Sequence, residues 1–171
     1  DIGCGWGGMA SHIYKKSNAN VVGVTLSEEQ IAYAQQRKVR ENLDKVEYRL
    51  QDYRNVNEKY DRIVSVGMFE HVGTAHYQEF FNKVYDLLND SGVALIHTIG
   101  RLNEPGNTDP WIDKYIFPGG YIPALSETVS RVEKSGLSLT DVQILKFHYA
   151  ETLKRWRYNF YDNIDKVKEI Y

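Results

Sequence analysis

The chain has 171 residues, 42% hydrophobic and 26% charged, an ordinary balance for one globular domain with a sizeable core. A net charge of −2 and the lack of a basic run leave no electrostatic footprint for nucleic acid. Cys4 is the only cysteine, which excludes an internal disulfide and a cysteine-rich zinc site and suits a reducing compartment; no apolar stretch is long enough to span a bilayer, so any membrane contact is peripheral.

The chain opens on "DIGCGWGG", with no methionine and no preceding apolar run, although such glycine turns normally follow a buried strand. This predicts a chain that starts after most of that strand. Its far end, "NFYDNIDKVKEIY", stops within a helical pattern without a stop signal, and also reads as cut. Between the ends, "MASHIYKKS" predicts a helix and "NVVGVTL" a short apolar strand. Ser27 and Gln30 form a capping-box pattern opening the helix "EEQIAYAQQRKVREN". "VEYRLQDY" and "YDRIVSVGMF" predict strands. "HYQEFFNKVYDLLND" predicts a helix with Phe80, Phe81, Val84, Leu87 and Leu88 on one face, closed by Gly92 ahead of the strand "VALIHTI".

Residues 101–124 break the alternation. They hold all four prolines, glycine pairs and several aromatics, and read as an ordered insertion because a linker would lack Trp111, Tyr115, Ile116, Phe117 and Tyr121. "SETVSRVEKSG" then predicts a helix, "SLTDVQILKF" a strand, and "AETLKRWRYNFYDNIDKVKEI" a closing helix. The expected architecture is α/β: a mostly parallel sheet between two helical layers, forming one domain over 1–171.

Gly3, Gly5 and Gly8 satisfy G-x-G-x-x-G, a weak dinucleotide signal by itself. Two details speak against a nicotinamide dinucleotide. Asp1 stands where such sites carry an apolar strand residue, and Thr25 ends the second predicted strand where an acidic residue is expected. A carboxylate before the glycines suits a ligand that presents an ammonium group and no phosphate, as S-adenosylmethionine does. Asp52 and Tyr53 end the next strand at the same sheet edge, where a carboxylate can accept from an adenine amino group and a ring can pack on the base. A solvated turn is the plainer alternative for "QDYRN".

Glu70 follows the strand "YDRIVSVGMF", and His97 closes "VALIHTI". Strand ends of a parallel sheet converge on one edge, so these two side chains can face one cavity as an acid–base pair or hold an anion between them; a purely structural Glu–His hydrogen bond is equally compatible with the spacing. His71 is expected to face elsewhere, and His12 and His76 to lie on helix surfaces. Cys4 is expected to act through its backbone, since nothing in the sequence marks a reactive thiol.

Taken together, "DIGCGWGG", "VVGVTLSEEQ", "DRIVSVGMFEHVG", "LIHTIG" and "DPWIDKYIFPGGYIP" closely resemble the cyclopropane-fatty-acyl-phospholipid synthase family, which includes the mycolic acid cyclopropane synthases. The first motif is common to many methyltransferases, whereas "MFEHVG", "HTIG" and "KYIFPGG" are far more specific. The resemblance runs over nearly the whole chain. It implies the Rossmann-like class I fold of S-adenosylmethionine-dependent methyltransferases, truncated in its first strand and before its last.

It further implies cofactor contacts at Asp1, Gly3, Gly5, Thr25, Leu26 and on to Gln30, with Gln30 doing the ribose work of the missing acid, and Asp52 and Tyr53 bordering adenine. A bicarbonate ion would be held by the side chains of Glu70, His97 and Tyr149 and the backbone of Cys4 and Ile99; no metal is expected. The implied reaction is methyl transfer to a cis double bond of an unsaturated phospholipid acyl chain, followed by loss of a proton to bicarbonate and closure of a cyclopropane ring. The implied setting is cytoplasmic, with peripheral membrane contact. The alternatives are a methyltransferase for a small amine or for methyl-branched lipids, and a non-catalytic fragment of such an enzyme. The sequence leaves the oligomeric state open.

Overall fold

Two pairs of parallel strands carry the site. β1 (Val21–Thr25) lies beside β2 (Val46–Leu50), in register from Val21↔Val46 to Thr25↔Leu50. β3 (Tyr60–Val66) lies beside β4 (Leu88–His97), in register from Arg62↔Val93 to Val66↔His97. This is a computed structural model, and it describes residues 1–170.

The opening tripeptide joins the two pairs. Ile2 forms a parallel bridge with Val24, and its N–H donates to the Val64 carbonyl at 2.8 Å. The Ser65 hydroxyl, fully buried, donates to the Ile2 carbonyl at 2.9 Å. The spatial order is therefore β2, β1, residues 1–3, β3, β4.

The helices alternate with these strands as the 3.6-residue periodicity predicts: α1 (Gly8–Ser17), α2 (Glu28–Arg40) and α3 (Tyr77–Leu87), then α4 (Pro110–Tyr115) and α5 (Leu125–Lys134). The apolar face predicted for α3 is buried throughout, and Phe80 and Phe81 meet edge-on at 5.2 Å, each also against Phe69. Full burial of each such ring stabilises the unit by about 1.5–3 kcal/mol. A second cluster, with Ala10, Ala34, Leu43, Val46 and Tyr48, joins α1 and α2 to β1 and β2.

Three boundaries differ from the sequence reading. α3 stops at Leu87, because Leu88 turns extended to pair with Tyr60; residues 89–92, Gly92 included, then bulge out of the β3–β4 ladder before Val93 pairs with Arg62. The strand expected over 138–147 is absent. Residues 139–145 have no regular structure, and Leu139, Val142 and Ile144 are about half exposed. A strand needs a ladder partner for its N–H and C=O groups, and no described strand pairs here. In consequence the closing helix begins early, as α6 (Lys146–Asp162), and is followed by the short α7 (Ile164–Lys168).

The described residues fall into two compact units, 1–138 and from Leu139 onward. The predicted sheet edge lies wholly in the first. In the second, Tyr149, Leu153, Trp156 and Phe160 line one stripe of α6, and Tyr149 meets Trp156 edge-on with ring centroids 6.5 Å apart.

Candidate active site

The C-terminal ends of the parallel strands bring the glycine turn, residues 25–30, residues 51–53 and residues 67–70 to one edge. The glycine turn is built from its own backbone. The N–H groups of Gly3 and Cys4 both donate to the Val24 carbonyl, at 3.0 and 2.9 Å, and Gly7 N–H donates to the Cys4 carbonyl at 2.9 Å. Gly3 has φ of 78°, and a Cβ there would sit 2.6 Å from Met68, so only glycine leaves the backbone bare at this edge. Of the three motif glycines, Gly3 and Gly5 use positive φ; Gly8 instead begins α1, and Gly7 takes the left-handed position before it.

Asp1 lies partly buried beside this turn, and its Oδ2 is buried without a partner. Such an orphaned carboxylate oxygen suits a cationic group on a ligand. Burial pushes the Cys4 thiol upward, so this sulfur is not a ready thiolate. Cys4's N–H, expected to bind an anion, is committed to Val24 in this arrangement.

Thr25 ends β1 as expected and holds Gln30 in place: its hydroxyl donates to Gln30 Oε1 at 2.9 Å. Ser27 caps α2 by accepting from Gln30 N–H at 3.2 Å. Only this half of the predicted capping box forms, because the Gln30 carboxamide turns to Thr25 instead of returning to the Ser27 backbone. Its Nε2 makes no hydrogen bond among the described residues and is available to a ribose hydroxyl. Leu26, between them, is 71% exposed, an apolar cover at the open edge.

Asp52 and Tyr53 reach the same edge, in a short 3-10 turn after β2. The Tyr53 ring is half-buried and meets Phe80 edge-on at 5.6 Å. The Asp52 carboxylate is already engaged: Arg54 donates to both oxygens, with Nη2 at 2.6 Å from Oδ2, and its backbone N–H donates to Oδ1 at 2.9 Å. These bonds hold the Asp52 carboxyl below the usual carboxylate range. Arg54 also lines a shallow, mixed-charge surface concavity with Glu79, Asn82, Lys83 and Asp86.

Glu70 is buried in the 3-10 turn Phe69–His71. The N–H of Ile99 donates to its Oε1 at 2.7 Å, and the N–H of Tyr121 donates to its backbone carbonyl at 2.9 Å. Its Oε2 is buried without a partner. The structure thus brings together Glu70 and Ile99, two of the expected anion ligands, but their bond occupies the Ile99 N–H. His97 ends β4 with its carbonyl accepting from Gly67 N–H at 3.0 Å. Its side chain is exposed, shares a sheet face with Val93 and Leu95, and makes no hydrogen bond to Glu70. It is neither a satisfied core histidine nor a partner of Glu70 in this arrangement. His71 and His12 are exposed, as expected, and His76 is an exposed partner of Glu79.

Tyr149 lies on α6 and not at a strand end, for the reason given for residues 139–145. Its side chain makes no hydrogen bond among the described residues. Three residues at this edge escaped the sequence reading. Arg54 is adjacent to "DY" and carries the charge opposite to Asp52; Tyr121 and Glu127 are joined by a hydroxyl–carboxylate bond of 2.9 Å that no spacing rule signals.

The family model described as mycolic acid cyclopropane synthetase matches residues 1–171. The cyclopropane-fatty-acyl-phospholipid synthase of Escherichia coli (strain K12) is 44% identical over 160 residues, covering 94% of this chain and 41% of that protein. The structure of the cyclopropane synthase MmaA2 from Mycobacterium tuberculosis superposes with a TM-score of 0.86 at 34% identity, covering 99% of this chain and 65% of that one. The mycolic acid cyclopropane synthase CmaA1, solved with SAH and CTAB, gives 0.86 at 36% identity, covering 97% and 63%. The chain thus spans less than two thirds of each of these relatives, and less than half of the E. coli synthase. The fold is that of class I S-adenosylmethionine-dependent methyltransferases, and the chain belongs to the mycolic acid cyclopropane synthetase family.

Proposed function

We propose that the protein containing this chain transfers a methyl group from S-adenosylmethionine to the cis double bond of an unsaturated phospholipid acyl chain and closes a cyclopropane ring. The observation that carries this reading is Glu70: a buried carboxylate, held at one oxygen by Ile99 and unpartnered at the other, in a chain 44% identical to a cyclopropane-fatty-acyl-phospholipid synthase.

The residues present suit the cofactor. The bare backbone at Gly3 and Gly5 admits its close approach, the orphaned Asp1 oxygen its ammonium group, Gln30 Nε2 a ribose hydroxyl, and Leu26 and Tyr53 the faces of adenine. Asp52 accepts from the adenine amino group only as Arg54 gives way. For hydrogencarbonate the suitability rests on Glu70, whose free Oε2 accepts the O–H of that ion, with His97 as a further side-chain ligand; the Tyr149 phenol is added by the family resemblance alone. The N–H groups of Cys4 and Ile99 join them only on release from Val24 and Glu70.

When bound, the two groups supply an electrophilic methyl and a base. The chain's own work is to orient them and to keep water from the electron-deficient carbon that the alkene forms on taking up the methyl. Loss of a proton from that methyl then returns the electron pair that closes the ring. No helix among the described residues is long and apolar enough to cross a membrane. As an expectation from the family resemblance, acyl chains would be reached by peripheral contact at the bilayer surface, from the cytoplasmic side. A second reading, methylation of a small amine, draws on the likeness to coclaurine N-methyltransferase, with a TM-score of 0.83 at 28% identity.

The test is mass spectrometry of lipids from cells expressing the intact protein. A gain of one CH₂ on monounsaturated phospholipid chains is expected; an unchanged lipid profile alongside methylation of an added amine would replace this reading with the second.

A further inference from the structure

Tyr77 opens α3 and is 1% exposed. Its ring stacks on Phe69, with centroids 4.2 Å apart and planes 27° from parallel, and Phe69 directly precedes Glu70. Three polar atoms around Tyr77 are buried without a partner: its own hydroxyl, Glu70 Oε2, and Gln78 Oε1, the last in a carboxamide whose Nε2 donates to Asn82 and Arg131. The hydroxyl carries a proton to donate, and the other two are acceptors. Buried polar atoms are rarely left unsatisfied, and a complementary pair that lacks a direct bond is typically joined through a water.

The neighbouring carboxylate, Glu127, is a competing acceptor. It is already supplied: the Tyr121 hydroxyl donates to both of its oxygens, at 2.9 and 3.1 Å, and Ala124 N–H donates to Oε2 at 2.8 Å. Glu70 has one donor, at Oε1. Burial first, and then Glu127, Tyr121 and Glu70, push the Tyr77 phenol above the ordinary tyrosine range, so the hydroxyl keeps its proton.

We infer that Tyr77 is a positioning residue for Glu70, its hydroxyl donating through one bridging water to Oε2. With a single donor the carboxylate is fixed at one oxygen and free to rock about it. The water takes one lone pair of Oε2 and leaves the other for a ligand, so both oxygens are held and the direction in which Glu70 presents charge is set by α3 as well as by the loop after β4. The task of Glu70 in catalysis rests on the function proposed above, but the Tyr77 link concerns the carboxylate itself.

The test is therefore read on Glu70. In the intact protein Tyr77→Phe keeps the ring stack and removes only the hydroxyl. It should shift the Glu70 carboxyl ¹³C resonance and speed hydrogen exchange of the Ile99 amide by about tenfold, the factor expected for loosening one hydrogen bond. The Tyr121 amide, held by the Glu70 backbone carbonyl, should exchange as before. Should Tyr77→Phe not fold, the reciprocal variant Glu70→Gln must move the ¹³Cζ resonance of Tyr77. An unchanged Ile99 amide and Glu70 resonance would overturn the inference, as would a response confined to Glu127, or in the reciprocal variant an unmoved Tyr77 resonance. Failure of the lipid assay with the Ile99 response intact would remove the proposed function and leave this link standing.

Discussion

The N–H of Ile99 donates to Glu70 Oε1 at 2.7 Å, tying the loop after β4 to the turn after β3 across 29 residues of sequence. The bond explains why a glutamate is tolerated inside this edge: a charged acceptor buried without a donor costs far more than a bonded one. It also leaves the other oxygen for a ligand.

Glu70→Gln keeps the shape and the acceptor for Ile99 while removing the charge. Turnover of the intact enzyme should fall by about ten- to a thousandfold, the range typical for losing one positioned electrostatic contact, with cofactor affinity nearly unchanged. His97→Ala and Tyr149→Phe should follow the same pattern. Steady-state kinetics beside calorimetric titration of the cofactor separate the two quantities, and near-parental turnover in all three variants under bicarbonate depletion would remove the anion site.

Asp52 and Arg54 should pull cofactor affinity in opposite directions. Asp52→Ala removes the acceptor for adenine and weakens binding by about tenfold, one hydrogen bond's worth. Arg54→Ala frees both Asp52 oxygens and should tighten binding by a smaller factor, because an exposed ion pair yields cheaply. Weaker binding in both variants would mean that Arg54 itself contacts the ligand.

Gly7 has φ of 77°, and a Cβ there would lie 2.6 Å from the Tyr48 hydroxyl, which donates to the Gly7 carbonyl at 2.9 Å. Gly7→Ala therefore strains the backbone and displaces a buried hydrogen bond at once. A loss of about 1–3 kcal/mol is expected in urea denaturation. A loss near zero would show that the turn relaxes freely.

Glu41 gathers Lys15, Ser11 and Arg37, joining α1 to the end of α2. The Lys15 ammonium first, then the Ser11 hydroxyl, bring its carboxyl down to about 2. A folded value below the unfolded one means that the contribution is complete above the ordinary carboxylate range, about 4.3, and is lost as pH falls toward the folded value. The difference in denaturation midpoint between the parent and Glu41→Gln should accordingly shrink as the pH is lowered through that window. A difference that stays constant with pH would show that Glu41 acts by packing alone.

The amino-acid sequence determined the alternation of strands and helices over residues 8–97, the apolar face of α3, the glycine turn at Gly3 and Gly5, and the family, because each is written in local periodicity, turn chemistry or short motifs. It also placed Thr25, Asp52 and Glu70 at one sheet edge, since parallel strands bring their C-terminal ends together. Only the tertiary structure decided what those groups bond to. Arg54 takes the Asp52 carboxylate, Thr25 takes Gln30, Val24 takes the Cys4 N–H, and Glu70 takes Ile99; of these only the neighbouring, oppositely charged Asp52–Arg54 pair carries a local signal. The same holds for residues 139–145: β-branched and apolar side chains favour an extended strand, but a strand exists only where another offers its hydrogen bonds, and no described strand pairs with this segment.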